Sequence, residues 1–180
     1  TWRQEMIVAL GRALAATLDL ETIYQIANQY IRDFIDCPNF GVTLFDPKEE
    51  VLKAAYFSSE GEPHDISLLP PLKYDPQNSR SGRSEAISAQ VPVIIHDFAA
   101  RRKAKSLIPA DFGREPKSAI YVPMLVDGKV IGLLDLQSYR EDAYNAQDGE
   151  WLSVVANQIG MAIQNARLFA RVKQRLAELT

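Results

Sequence analysis

The sequence predicts an α+β domain: an antiparallel β-sheet with helices packed on one face and a loop- and helix-covered pocket on the other. A β-hairpin at residues 118–138, amphipathic helical patterns at both chain ends, and a proline-bearing middle between two hairpins carry this expectation. A sheet covered by helices on one side and by loops on the other buries all of these apolar stripes together. The chain has 180 residues, of which 47% are hydrophobic and 24% charged, enough for one domain with a substantial core.

The hairpin is the most legible stretch, SAIYVPMLVDGKVIGLLDLQS. Two β-rich runs, 120–126 and 130–136, flank Asp127-Gly128, a dipeptide that tolerates the positive φ of a tight turn. Side chains alternate along a strand. Ile120 and Val122 therefore oppose Ala119, Tyr121 and Pro123, and Gly132, Leu134 and Leu136 oppose Leu133, Asp135 and Gln137. Asp135 is thus a carboxylate inside an apolar run. A charge buried without partners costs several kcal/mol, so Asp135 is expected to reach solvent or to sit in a polar pocket.

In chain order, Met6, Ile7, Leu10, Ala13, Leu14 and Leu18 predict a helix over about 2–18. Asp19 caps a second helix with Ile23, Ile26, Ala27, Tyr30, Ile31 and Phe34, ending before Pro38. Residues 40–45 form a strand with Phe40, Val42 and Leu44 opposite Gly41, Thr43 and Phe45, and a polar turn at 46–50 leads into a strand at 51–57. Residues 58–78 hold four prolines and Gly61 and read as loop, with an extended piece at 66–69. A short helix over 79–90, an edge strand over 91–95, and one short helix with a loop around the basic run at 101–105 follow. The longest helix, about 147–179, carries Leu152, Val155, Ile159, Ala162, Ala166, Phe169, Val172, Leu176 and Leu179 at coiled-coil spacing and is expected to outgrow its domain.

The order and spacing of these pieces resemble the GAF family of small-molecule-sensing domains. The resemblance rests on Ser118 to Met124, Asp127-Gly128-Lys129, Val130 to Leu134, Ala156-Asn157-Gln158 and Ala162 to Leu168, with the segment 87–97 in support. It implies a single domain over residues 1–180, acting as a non-enzymatic ligand-sensing module of a signalling protein such as a sensor histidine kinase in a two-component system. The alternatives are a ligand-free dimerisation domain and, remotely, a small redox enzyme, since some GAF-fold proteins reduce methionine sulfoxide with cysteines. The ligand and any cofactor are unknown. Bilin-attaching members carry their cysteine on the pocket side, whereas Cys37 precedes the first strand, so covalent bilin is not expected. Tyr144 to Gly149 matches the cyclic-nucleotide element of the family only at Asp148 and loosely at Tyr144, so a cyclic nucleotide is not expected either.

If the most apolar face of the sheet meets the helices, the other face, with Thr43, Tyr121 and Asp135, lines the pocket; Tyr56 and His96 are further candidates. His64 and His96 lack metal-ligand spacing, and no nucleophile elbow or phosphate-binding glycine loop is present. The acidic neighbours Asp33 and Asp36 are expected to raise the Cys37 pKa, leaving it a structural residue. With 20 basic and 23 acidic residues and a net charge of −3, nothing points to nucleic acid. No run approaches the ~18–20 apolar residues of a membrane span, and one cysteine fits a reducing compartment, so a cytoplasmic chain without membrane contact is expected. The surplus apolar seam leads to an expected homodimer built on Met6, Leu10, Leu14, Phe169, Val172 and Leu176 of the two terminal helices.

Overall fold

The computed structural model describes residues 1–78, 81–100 and 114–180. Helices α1 (Trp2–Ala15) and α2 (Leu20–Arg32) are followed by strands β1 (Asn39–Asp46), β2 (Val51–Ser59) and β3 (Glu62–Pro63), a 3-10 turn (Ile66–Leu68) and β4 (Leu72–Lys73). Helix α3 (Gly82–Ala89), strands β5 (Val93–Ile95), β6 (Ser118–Val126) and β7 (Lys129–Ser138), and the 33-residue helix α4 (Ala146–Glu178) complete the order. The expected helix and loop around residues 101–105 lie outside the described residues.

The helices start where capping chemistry allows. Asp19 accepts from the Thr22 amide at the head of α2. Asn145 and Asp148 form a reciprocal capping box at the head of α4. Asp127 and Gly128 both take positive φ, 51° and 75°, the turn expected between β6 and β7. In the stretch read as loop, a 3-10 turn replaces the extended piece at 66–69, and two-residue strands β3 and β4 hydrogen-bond to β2.

The sheet runs β3-β2-β1-β7-β6-β5, with β4 also paired to β2. Its pairings are antiparallel, and β5 sits at the edge as its proline-bearing approach suggests. On one face Phe40, Val42, Ile120, Val122, Met124, Leu134 and Leu136 pack with Met6, Leu10 and Leu14 of α1, Ile23, Ala27 and Ile31 of α2 and Leu152, Val155, Ile159 and Ile163 of α4. On the other face a smaller core joins Ala86 and Ile87 of α3 to Leu52, Val93, Ile95, Ala119, Tyr121 and Leu133. Strand alternation has separated two apolar layers, and among the described α-helices α3 alone lies on the second.

Two expectations are corrected at this level. Met6, Leu10 and Leu14 are 2%, 0% and 5% exposed, so the intramolecular core consumes them and they are not available to a partner chain. Phe169, Val172 and Leu176 do remain exposed, at 50%, 58% and 61%, because α4 runs on past the sheet. Cys37 is buried beside the helices and donates to the Asn39 carbonyl at 3.1 Å. Its pKa is raised, as expected, but burial is the leading cause and Asp36 a lesser one, with Arg32 acting in the opposite direction.

Candidate functional site

The layer between the sheet and α3 gathers the polar groups that sequence parity assigns to one face. Thr43 donates its hydroxyl to Asp135 Oδ2 at 2.6 Å across the β1–β7 pairing. Tyr121 lies directly opposite Asp135 in the β6–β7 register. Above them Arg83 projects from the first turn of α3, its Nε 3.6 Å from Asp135 Oδ2 and its guanidinium carbon 4.4 Å from the centre of the Tyr121 ring. The first distance is an ion pair but too long for a hydrogen bond, and the second is a cation–π contact.

The local sequence explains how α3 comes so close. Ser81 caps the helix by accepting from the Ser84 amide, and the Ser84 hydroxyl accepts from the Asp75 amide, which ties the helix head to the preceding loop. At Gly82 a Cβ would stand 2.9 Å from Tyr121 Cε2 and 3.0 Å from Ile95 Cδ1, so a side chain there would lift the helix off the sheet. Arg83 shares the inward face with Ala86 and Ile87, three and four positions along.

Arg83 and Asp135 are each 5% exposed. Arg83 Nε and Nη2 and Asp135 Oδ1 have no hydrogen-bond partner. Burial pushes the Asp135 carboxyl above the usual carboxylate range, against the opposing pull of Arg83 and the Thr43 hydroxyl. Removal from water outweighs an imperfect ion pair.

Thr43, Tyr121 and Asp135 are therefore brought together, while Tyr56 and His96 are not. The register between β1 and β2 slips at Val42 and Thr43: Val42 faces Tyr56 and Thr43 faces Ala54, leaving Ala55 as a bulge. The bulge reverses the alternation of β2, so Leu52 joins the α3 layer and Tyr56 turns to the helices, with Tyr24 and Phe40 rings 5.9 and 6.2 Å away. His96, at the end of β5, is exposed and pairs with Asp142 at 2.5 Å. Sequence reasoning missed Arg83. A cation in a helix first turn opposes the helix dipole, and here it shares the spacing of Ala86 and Ile87 and answers an aspartate set in an apolar strand; those signals together would have found it. Among the described residues no group of three or more His, Cys, Asp or Glu side chains could hold a metal ion.

Among the described residues, an antiparallel sheet with three helices on one face, and a single short α-helix over a buried Arg–Asp pair on the other, defines an α+β small-domain class with an enclosed polar layer. The chain belongs to the GAF domain family, whose model matches residues 17–164. No curated protein sequence matches the chain. Among solved structures, the free methionine-R-sulfoxide reductase from Neisseria meningitidis, in complex with its substrate, is similar at 18% identity and TM-score 0.71 over 92% of this chain and 90% of that one. The GAF domain of an Acinetobacter phosphoenolpyruvate-protein phosphotransferase is similar at 13% identity and TM-score 0.72 over 95% and 98%. A methyl-accepting chemotaxis protein fragment is similar at 18% identity and TM-score 0.66 over 89% and 98%. At these identities the likeness establishes the fold.

The expectation of a non-enzymatic domain is corrected by these comparisons. Free methionine-R-sulfoxide reductases from Neisseria meningitidis, Thermoplasma acidophilum and Staphylococcus aureus share the fold over most of the chain, so the architecture is one that carries catalysis as well as regulation. No described helix is long and apolar enough to cross a membrane.

Proposed function

We propose that this GAF domain binds a small polar molecule in the layer between the sheet and α3, and that occupancy acts on α4 within a dimeric signalling protein such as a sensor histidine kinase. The observation that carries this reading is the buried Arg83–Asp135 pair with its three unpartnered atoms. Each buried orphan costs about 1–3 kcal/mol, so a ligand that offers an acceptor to the guanidinium and a donor to the carboxylate relieves several such costs together. Guanidinium Nε–H and Nη2–H groups on one edge suit a two-oxygen acceptor. Tyr121 and Asp135 stand on one face of β6 and β7, and Ile120, Val122, Leu134 and Leu136 of the same strands support the helix layer on the other. A ligand that moves either strand therefore moves the floor beneath α4.

Thermal-shift screening of the 180-residue domain against carboxylates, amino acids and nucleotides tests this reading. Free methionine sulfoxide belongs in the screen with a thiol reductant, its turnover being followed separately because of the reductase relatives. A specific ligand is expected to raise Tm by mass action. Asp135→Ala should stay folded and weaken that ligand by about tenfold, the worth of one charge-assisted hydrogen bond. A screen without any stabilising compound, or an affinity unchanged in Asp135→Ala, would sink the proposal.

The dimer in this proposal rests on the tail of α4, where Phe169, Val172, Leu176 and Leu179 are all at least half exposed. Covering a Leu or Phe side chain is worth roughly 1.5–3 kcal/mol, and a parallel copy of α4 covers the whole seam by two-fold symmetry. The same seam favours a second reading, a dimerisation domain whose polar layer stays empty. Sedimentation separates association from its absence: the wild type is expected to be dimeric at micromolar concentration and Phe169→Glu/Leu176→Glu monomeric. A monomeric wild type, or no shift in the double variant, removes the dimer from the proposal.

A further inference from the structure

Helix α4 carries a second apolar stripe, on its solvent side and distinct from the face that packs on the sheet. Leu152, Val155, Ala156, Ile159, Ile163 and Ala166 are buried in the helix-side core. Half a turn away Val154, Met161, Leu168, Val172 and Leu179 are exposed, so this stripe begins over the body of the domain and runs on through the tail. We propose, as an extension of the dimer reading above and resting on it, that this stripe is the contact with a second copy of the chain, the two α4 helices pairing parallel and in register from Val154 to Leu179.

The spacing of the stripe is that of a two-stranded seam. With Val154, Met161, Leu168 and Arg175 as d positions, Gln158, Asn165, Val172 and Leu179 fall at a, in steps of four and three throughout. A β-branched residue at a beside Leu at d, as in Val172 with Leu168, favours two strands. A single Asn at a goes further and specifies register and strand number, because its carboxamide is best satisfied against its own copy. Asn165 is that residue. Gln158, the other amide at a, is already engaged, its Nε2 donating to the Ile7 carbonyl of α1 at 3.4 Å. Phe169 and Leu176 then fall at e, beside the seam, which accounts for the other exposed apolar side chains of the tail.

The stripe has one direction because α4 is held in rotation on the sheet. A Cβ at Gly160 would stand 3.1 Å from Met124 Cβ and 3.3 Å from Val126 Cγ2, and Asn157 Oδ1 accepts from the Leu125 amide at 3.1 Å. Met161, one residue on, is left facing solvent. From Val154 to Leu179 the seam is roughly 38 Å long at 1.5 Å per residue. Eight exposed apolar side chains per copy, counting Val8 of the adjoining α1, hide roughly 60 Å² apiece and about 500 Å² together, and the polar residues between them bring the contact toward the ~800 Å² per partner of a stable complex. Arg175 is the one charge at an a or d position. It meets its own copy near the end of the seam, with Glu178 three residues on to offset it.

Sedimentation and cysteine cross-linking of the 180-residue domain test the pairing, and the buried Cys37 can stay in place. Met161→Cys and Val172→Cys, about 16 Å apart along the helix, should each form a disulfide with its own copy on mild oxidation, which only parallel helices in register allow at both positions. Ala170→Cys, at an f position, should not. Met161→Glu should raise the dimer Kd about a hundredfold or more by setting two carboxylates face to face in the seam. Asn165→Val and Arg175→Leu should each tighten the dimer severalfold, the first by removing a buried amide and the second a like-charge contact. Unchanged association in Met161→Glu, with Phe169→Glu/Leu176→Glu monomeric, would leave the dimer reading standing and overturn this stripe as its interface. Cross-linking at only one of Met161→Cys and Val172→Cys, equal cross-linking of Ala170→Cys, or a looser dimer in Asn165→Val would overturn the parallel register. A monomeric wild type removes the dimer reading itself, and this pairing with it.

Discussion

Arg83→Ala is expected to lower the stability of the domain by about 3 kcal/mol at neutral pH, the usual cost of removing one partner from a buried ion pair. The loss should shrink as the pH falls. Asp135 already has a pKa raised by burial, and Arg83 is the principal influence holding it down. A carboxyl whose folded-state pKa lies above its unfolded value contributes stability that is fully present below the unfolded value, near 4, and is lost as the pH rises through the folded value. Without the guanidinium the folded pKa climbs further, so the penalty in the variant extends over a wider window and is greatest at the alkaline end. Urea unfolding of wild type and variant between about pH 4 and pH 8 should show a gap that closes toward acid. Adding Asp135→Asn to Arg83→Ala removes the stranded charge and should recover much of the neutral-pH loss. A gap independent of pH, or a double variant no more stable than the single one, would show that Arg83 acts through packing on Tyr121 rather than through the carboxylate.

The parts of this fold legible in the sequence are those governed by local periodicity. Asp127-Gly128 located the β6–β7 turn, alternation placed Tyr121 and Asp135 on a common face opposite Ile120 and Leu134, and Asp19 marked the head of α2. What escaped was set by interactions between segments. The Ala55 bulge, which sends Tyr56 to the helix side, exists only in the pairing of β2 with β1 and leaves no mark in the alternation of β2 alone. Met6, Leu10 and Leu14 carry the right spacing for a helix seam, but spacing does not say whether the seam is covered by the same chain or by another. Arg83 was missed because its partner stands far along the chain, at Asp135. The absence of an enzyme motif likewise said nothing about catalysis in a fold shared with reductases.

Gly132→Ala is expected to be the most damaging of the single-methyl additions in the sheet, costing about 3 kcal/mol, at the upper end for overpacking a core. The position lies in β7, opposite Leu44 of β1 on one side and Met124 of β6 on the other. A Cβ there would stand 2.2 Å from the Thr43 carbonyl oxygen, 3.0 Å from Met124 Cε and 3.1 Å from Leu44 Cα. The methionine end can swing away. The two backbone atoms cannot, because β1 is held by β2 on its far side and by β7 itself. Gly128→Ala supplies the comparison: nothing stands within 4 Å of a Cβ there, and the cost should be confined to the backbone strain of φ +75°, about 1 kcal/mol. The two variants thus separate steric exclusion from backbone conformation, and thermal unfolding should put Gly132→Ala roughly 10 °C below wild type, at 2–4 °C per kcal/mol for a domain of this size. Displacing the Thr43 carbonyl also tilts the Thr43 hydroxyl away from Asp135, which it meets at 2.6 Å, so any ligand of the α3 layer should bind Gly132→Ala more weakly and Gly128→Ala as the wild type does. Equal destabilisation by the two substitutions would mean that β1 can yield at this crossing, and that the glycine is there for its backbone freedom alone.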